Sequence, residues 1–219
     1  MAVRLHFNEE LDKLQRQIIE MGAVVLKALE RSIQAYISKD VNLARKIIEQ
    51  DPRINQSELR IDDRCAVLIA EEQPVARDLR FILNSMRTSH TLERIADNAV
   101  HVSKSTLILA EENFPKPLVN IQRIAAIATG MLKDSMDVFV TLDTKTAEEI
   151  SKRDKEVDRI YAELFGHLLE IMQKDPQKIH QALTLLFICR RLERIADHST
   201  HICEGAVYVQ TGDYVDLNL

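Results

Sequence analysis

From Phe7 onward, apolar residues recur as Phe7, Leu11, Leu14, Ile18, Met21, Val25 and Ala28. Alternating steps of four and three keep one stripe of a helix facing a partner for several turns. The pattern predicts a first helix to about Ile37. Ser38-Lys39-Asp40 breaks it and offers an N-cap, and a second helix carries Ala44, Ile47, Ile54, Ile61, Cys65 and Leu68 on its apolar side. Pro52 lies within that stripe. Proline has no N–H to donate and disfavours αR in the residue before it, so the expectation is a kink, or a restart with Asp51 as N-cap and Pro52 at the first helical position. Gln73-Pro74 punctuates the chain again, and a third helix is predicted from Val75 to about Glu112.

Asn113-Phe114-Pro115-Lys116-Pro117 holds two prolines close together near mid-chain and reads as a link. A fourth helix is predicted from Leu118 to Leu142, a fifth from Thr144 to about Gln173 and a sixth from Gln177 to about Val209, with Asp175-Pro176 as the turn between the last two. Aligning the halves sets Ser38-Lys39-Asp40 against Thr141-Leu142-Asp143, and Asp51-x-x-Ile54-Asn55 against Asp154-x-x-Val157-Asp158. The expected fold is all-α: two tandem, pseudo-symmetric three-helix bundles made of six long helices, one over residues 1–113 and one over residues 114–219.

Composition supports this. Only 5 Gly and 5 Pro occur in 219 residues, far below the roughly 12% combined share of average proteins, which disfavours a turn-rich β fold. A net charge of -5 provides no general attraction to nucleic acid or anionic lipid. Arg190, Arg191 and Arg194 make a local basic run, read as paired or solvated on a helix rather than as a nucleic-acid interface. Cys65, Cys189 and Cys203 are odd in number, lack a C-x-x-C spacing and lie in apolar stretches, so they read as reduced core thiols of a cytoplasmic chain. No signal-like apolar run opens the chain and no apolar stretch reaches membrane-spanning length, so contact with a membrane is expected only through partners.

The chemistry lies in a repeated hexapeptide. Leu92-Glu93-Arg94-Ile95-Ala96-Asp97 recurs as Leu192-Glu193-Arg194-Ile195-Ala196-Asp197, with His101 and His201 one step further along. Glu and Asp four apart share a helix face about 5–6 Å from one another, a locally repulsive pairing that a cation relieves. Hairpin arithmetic puts the Asp154/Asp158 centre about 19 residues before the Asp175 turn and the Glu193/Asp197 centre about 20 after it, level to within roughly 2 Å at 1.5 Å per residue. In the first half the mismatch between Asp51/Asn55 and Glu93/Asp97 is about 3–5 Å. Four oxygen-bearing side chains at one level form a candidate metal site in each half, with His101, His198 and His201 as further ligands or supports. A ligand set of oxygens without cysteine suits iron, manganese or magnesium, and zinc if histidine joins. The spacing differs from the Glu-x-x-His of di-iron bundles, and there is no phosphate loop or nucleophilic triad. A carboxylate-bridged metal enzyme and a metal-free helical scaffold remain as alternatives at this point.

These residues, together with Pro74-Val75-Ala76-Arg77-Asp78-Leu79-Arg80, resemble the PhoU family of phosphate-transport regulators over about Phe7 to Thr211. The resemblance implies two three-helix bundles and multinuclear iron or zinc clusters on Asp51, Asn55, Glu93 and Asp97, and on Asp154, Asp158, Glu193 and Asp197. It implies no catalysis. The implied role is that of a homodimeric negative regulator of the phosphate-starvation response, linking the ATPase subunit of the phosphate ABC transporter to a sensor histidine kinase. Asn55 in place of an acid, and Asn98 where the second copy has His198, set the first half apart. Glu93 and Glu193 are both expected at the bundle rim with their oxygens partly exposed, because a buried unpaired carboxylate is strongly disfavoured.

Overall fold

The computed structural model describes residues 2–110 and 119–218, and all its regular elements are helical. α1 spans Ala2–Ser38, α2 Val41–Glu72, α3 Ala76–Ala110, α4 Val119–Thr141, α5 Thr144–Lys174 and α6 Ile179–Thr211, with a 3-10 turn at Pro176–Lys178 before α6. The link expected at Asn113–Pro117, the boundary after residue 113, the end of the third helix at Glu112 and the start of the fourth at Leu118 lie outside the described residues. Among the described residues, no helix is long and apolar enough to cross a membrane.

The first junction of each half has the same chemistry. Lys39 and Leu142 reverse the chain at φ 55° and 57°, and an aspartate follows each. Asp40 accepts the Leu43 N–H at 2.9 Å. Asp143 accepts the Lys145 N–H at 3.0 Å and the Thr146 hydroxyl at 2.7 Å. Each cap satisfies an otherwise unbonded N–H of a helix's first turn. The second junctions differ: Gln73 ends α2 in the left-handed region, while Asp175 is extended and caps the 3-10 turn through Gln177 N–H at 3.1 Å.

Pro52 neither ends nor restarts α2, which runs through it, so Asp51 is not an N-cap. Ile47 and Ile54 on either side are both buried. Tertiary packing of the apolar stripe therefore holds the helix across the missing hydrogen bond, and such packing supplies most helical stability in a folded protein. In α1, Leu14, Ile18, Met21 and Val25 are buried as the spacing requires, and the next buried position is Leu29, with Ala28 only half-buried. A straight helix at 3.6 residues per turn drifts off a strict seven-residue repeat in this direction.

Within α1–α3 each helix packs on the other two, and the same holds for α4–α6. The two triplets meet mainly where α3 lies along α6, with α1 touching α4, and one apolar cluster draws buried residues from all six helices. Two glycines sit at these crossings. A Cβ on Gly22 of α1 would come within 2.6 Å of Met136 Cε on α4. One on Gly205 of α6 would come within 2.0 Å of Asn84 Oδ1 on α3. At Gly22 the flexible tip of Met136 fills the space a Cβ would take, and at Gly205 the buried Asn84 side chain does so. Cys65, Cys189 and Cys203 are free and buried in the core, as expected.

Candidate metal centre

The predicted acidic positions of α2 and α3 face one another. Asp51 on α2 is half-buried, and burial followed by the charge of Asp97 on α3 pushes its carboxyl above the ordinary range, against the pull of Lys104. Glu93 is raised first by burial and then by Asp97, Glu58 and Asp51, with Arg94 opposing. Asn55 stands beside them one turn along α2. The oxygens Asp51 Oδ1 and Asn55 Oδ1 are buried without a hydrogen-bond donor.

In the second half the same register brings together acids of α5 and α6 that are more deeply buried. Asp154 is only 3% exposed, and its carboxyl is pushed up to about 7 by burial and then by Asp197, Asp158, Glu193 and Glu204. Glu193 is pushed up to about 7 by burial and by Asp197 and Asp158, with Arg190 and Arg194 opposing. Asp197 is raised by burial and Asp158, with Arg190, His201 and Arg194 opposing. Asp154 Oδ1 and Glu193 Oε2 are again buried acceptors without donors.

Glu193 departs from the expected rim position: it is 6% exposed. The reason is Arg190, one turn earlier, whose guanidinium binds Glu193 Oε1 while lying 5.9 Å from the Tyr161 ring centroid. An ion pair and an aromatic wall allow the carboxylate to sit inside. Glu93, half-buried, keeps the expected position.

The histidines diverge. His101 is half-buried and held below the ordinary range by burial, Arg191 and Lys104, with Asp97 opposing. His201 is exposed, with its ring 5.6 Å from that of His198. His198 is 8% exposed with both ring nitrogens unpartnered, and burial followed by His201, Arg194 and Arg94 lowers it to about 4. It is therefore a neutral imidazole among cations.

One cluster was not anticipated. Glu58, Asp62 and His90 are the only described residues offering three potential metal-binding atoms mutually within 4.8 Å. His90 Nδ1 meets Glu58 Oε1, His90 Nε2 lies 3.2 Å from Asp62 Oδ2, and Ser89 donates to Asp62 Oδ1 at 3.4 Å. A signal was present: Glu58 and Asp62 continue the Asp51/Asn55 stripe at seven and eleven residues, and His90 precedes Glu93 by one turn. The repeat concealed it, because Tyr161, Phe165 and Arg190 occupy the corresponding positions of the second half.

The residues fit a bound cation. Four carboxylate or amide oxygens at predicted ligand positions, two in each half, are buried without donors and surrounded by like charge. Hard divalent cations use such oxygens as ligands.

The family described as PhoU domain matches residues 18–106 and again 121–206, once for each half. The phosphate-specific transport system accessory protein PhoU homolog of Rhizobium meliloti is 37% identical, over 94% of this chain and 87% of its own. The crystal structure of PhoU from Pseudomonas aeruginosa superposes with a TM-score of 0.91 at 34% identity, covering 94% of this chain and 100% of that one. The phosphate transport system regulatory protein PhoU from Streptococcus pneumoniae gives 0.90 at 31%, covering 96% and 99%.

Proposed function

The chain belongs to the PhoU family, and on that premise we propose that it is a metal-dependent adaptor reporting phosphate sufficiency. Its relatives are named as accessory and regulatory proteins of phosphate transport rather than as enzymes, and this chain is a PhoU-like accessory protein of that kind. In the finer reading it acts at the cytoplasmic face as a homodimer. There it joins the ATPase subunit of a phosphate ABC transporter to a sensor histidine kinase and suppresses the starvation response. It reaches the membrane only through those partners and has no role on nucleic acid.

The observation that carries the metal part is the set of buried, donor-less oxygens on facing carboxylate stripes. Asp154, Asp158, Glu193 and Asp197 would hold iron or zinc in the second half, with manganese or magnesium as the alternative. Asp51, Asn55, Glu93 and Asp97 would do so in the first, with Glu58, Asp62 and His90 one turn away. A bound cation would neutralise the stripes and fix α5 against α6 and α2 against α3. The protein's own part is to hold the carboxylates at one level and to keep the surrounding helix faces in one shape for a partner.

The test is a pull-down of the transporter ATPase and the kinase sensor region by the full chain, before and after chelation, with metal content measured on the same samples. Capture of both partners that falls at least tenfold on chelation and returns with iron or zinc supports the reading. Undiminished capture by metal-free protein would leave a metal-free scaffold, and absence of capture under both conditions would sink the adaptor role.

A further inference from the structure

The basic run Arg190, Arg191 and Arg194 divides on folding. Arg190 is taken up by Glu193. Arg191 and Arg194 instead line a cavity of about 120 Å³ between α3 and α6, together with Arg94, Asp97, Asn98 and His101. This cavity lies at the seam between the two halves, and Asp97 of the first carboxylate stripe forms part of its wall.

Its charge is unbalanced. Arg191 donates to Asn98 Oδ1 at 3.4 Å, and Asn98 Nδ2 in turn donates to the Arg94 carbonyl at 2.8 Å, so a buried amide holds Arg191 in place. Neither Arg94 nor Arg194 has a carboxylate in ion-pair contact among the described residues. Arg94 reaches this space from α3, and Arg191 and Arg194 reach it from α6, so the cations converge on it from the two repeats. All this occurs in a chain of net charge -5. Three guanidinium groups around one small space repel each other, and each presents planar N–H forks suited to an oxyanion.

We propose that the seam holds one tetrahedral oxyanion, free hydrogenphosphate, in the forks of Arg94, Arg191 and Arg194. The volume of about 120 Å³ suits a single such ion. Asp97 selects among oxyanions. A carboxylate only accepts hydrogen bonds, so it repels fully ionised sulfate but accepts from the P–OH that phosphate retains near neutral pH. A site built to bond a hydroxyl discriminates against the analogue lacking it. Binding stands on the three arginines at the seam, whereas the selection against sulfate needs Asp97 free of metal, so the titrations are run on metal-free protein.

The test is calorimetric titration of the full chain with sodium phosphate, sodium sulfate and glycerol 3-phosphate at matched ionic strength. The variants are R94Q, R191Q and, as control, R159Q, whose side chain pairs only with exposed Glu163. The expected result is saturable binding of one phosphate per chain, at least tenfold tighter than sulfate. It should weaken at least tenfold in R94Q and in R191Q and stay unchanged in R159Q. Arg94 is exposed, so R94Q keeps the fold, which circular dichroism verifies; if R191Q misfolds, R94Q decides. No saturable phosphate binding by the folded wild type, or binding unmoved by both variants, would overturn the proposal. Sulfate bound as tightly as phosphate, or glycerol 3-phosphate bound more tightly, would overturn the assignment to the free hydrogenphosphate ion. Metal content followed in parallel keeps a failure here distinct from a failure of the metal reading.

Discussion

The two carboxylate stripes occupy equivalent places on equivalent helix pairs, yet they solve the problem of facing like charges differently. In the first half Asp51 and Glu93 are half-buried and Asp97 is exposed, so water shares in solvating them. One turn further on, Glu58 and Asp62 hold His90 between them. In the second half Asp154 and Glu193 are buried, and the neighbouring turn supplies Arg190 over Tyr161 instead. Arg190 brings its cation to Glu193 and not to Asp154. Duplication therefore preserved the level of the acids while the next turn decided their burial. The more deeply buried site is the one whose carboxyls are forced up to about 7, and it has the most to gain from a metal.

The largest difference between the stripes is expected when one glutamate is removed from each. E193A is expected to lose most of the tightly held metal under weak chelation, and E93A a smaller share, because the second site offers four carboxylates and the first three plus the Asn55 amide. Metal per chain by elemental analysis at limiting metal checks it; a larger loss from E93A, or equal losses, would remove the proposed asymmetry.

Next in size is a pH effect in metal-free protein. Asp154 and Glu193 titrate near 7 when folded, against ordinary values of 3.8 and 4.5. Between those limits the folded chain holds protons that the unfolded chain has released, so stability is lost as pH rises from about 4 through 7. The metal-free chain should melt at a lower temperature at pH 8 than at pH 5. D154N should raise the melting temperature at pH 8 by about 2–4 °C for each kcal/mol recovered, with little effect at pH 5. A melting temperature that climbs from pH 5 to pH 8 would contradict the burial of these groups.

The smallest effect separates the two neighbouring turns. R190Q removes the cation from a buried carboxylate and is expected to cost about 1–3 kcal/mol at pH 8. H90A removes a half-exposed partner of two acids and should cost about 1 kcal/mol or less. Urea titrations of both variants give the ratio, and H90A proving the more damaging would reverse the assignment of which turn carries the buried charge.

Much of this molecule was legible in local pattern. The junction at Ser38–Asp40 and its counterpart at Thr141–Asp143 were readable because an aspartate N-cap after a break in apolar spacing is a local device. The level match of Asp154 and Asp158 with Glu193 and Asp197 followed from counting residues at a fixed rise per turn. Of the two outcomes open at Pro52, a kink or a restart, the restart does not occur, because the buried Ile47 and Ile54 hold α2 together across it. Glu193 misled as a rim residue because the charge that lets it sit inside belongs to Arg190, whose partner depends on side-chain geometry.

Six helices, the aspartate caps at Asp40 and Asp143 and the helix faces on which the acids stand follow from local spacing, since period and capping act within a few residues. That α3 runs along α6 with Gly205 against Asn84, and that Glu58, Asp62 and His90 meet, is settled by packing between helices. The same packing brought arginines from both repeats to one cavity while Arg190 went to Glu193. These outcomes depend on how helix faces pack and on which of several possible partners each charge meets, and close-packing and charge compensation act between helices rather than within a few residues.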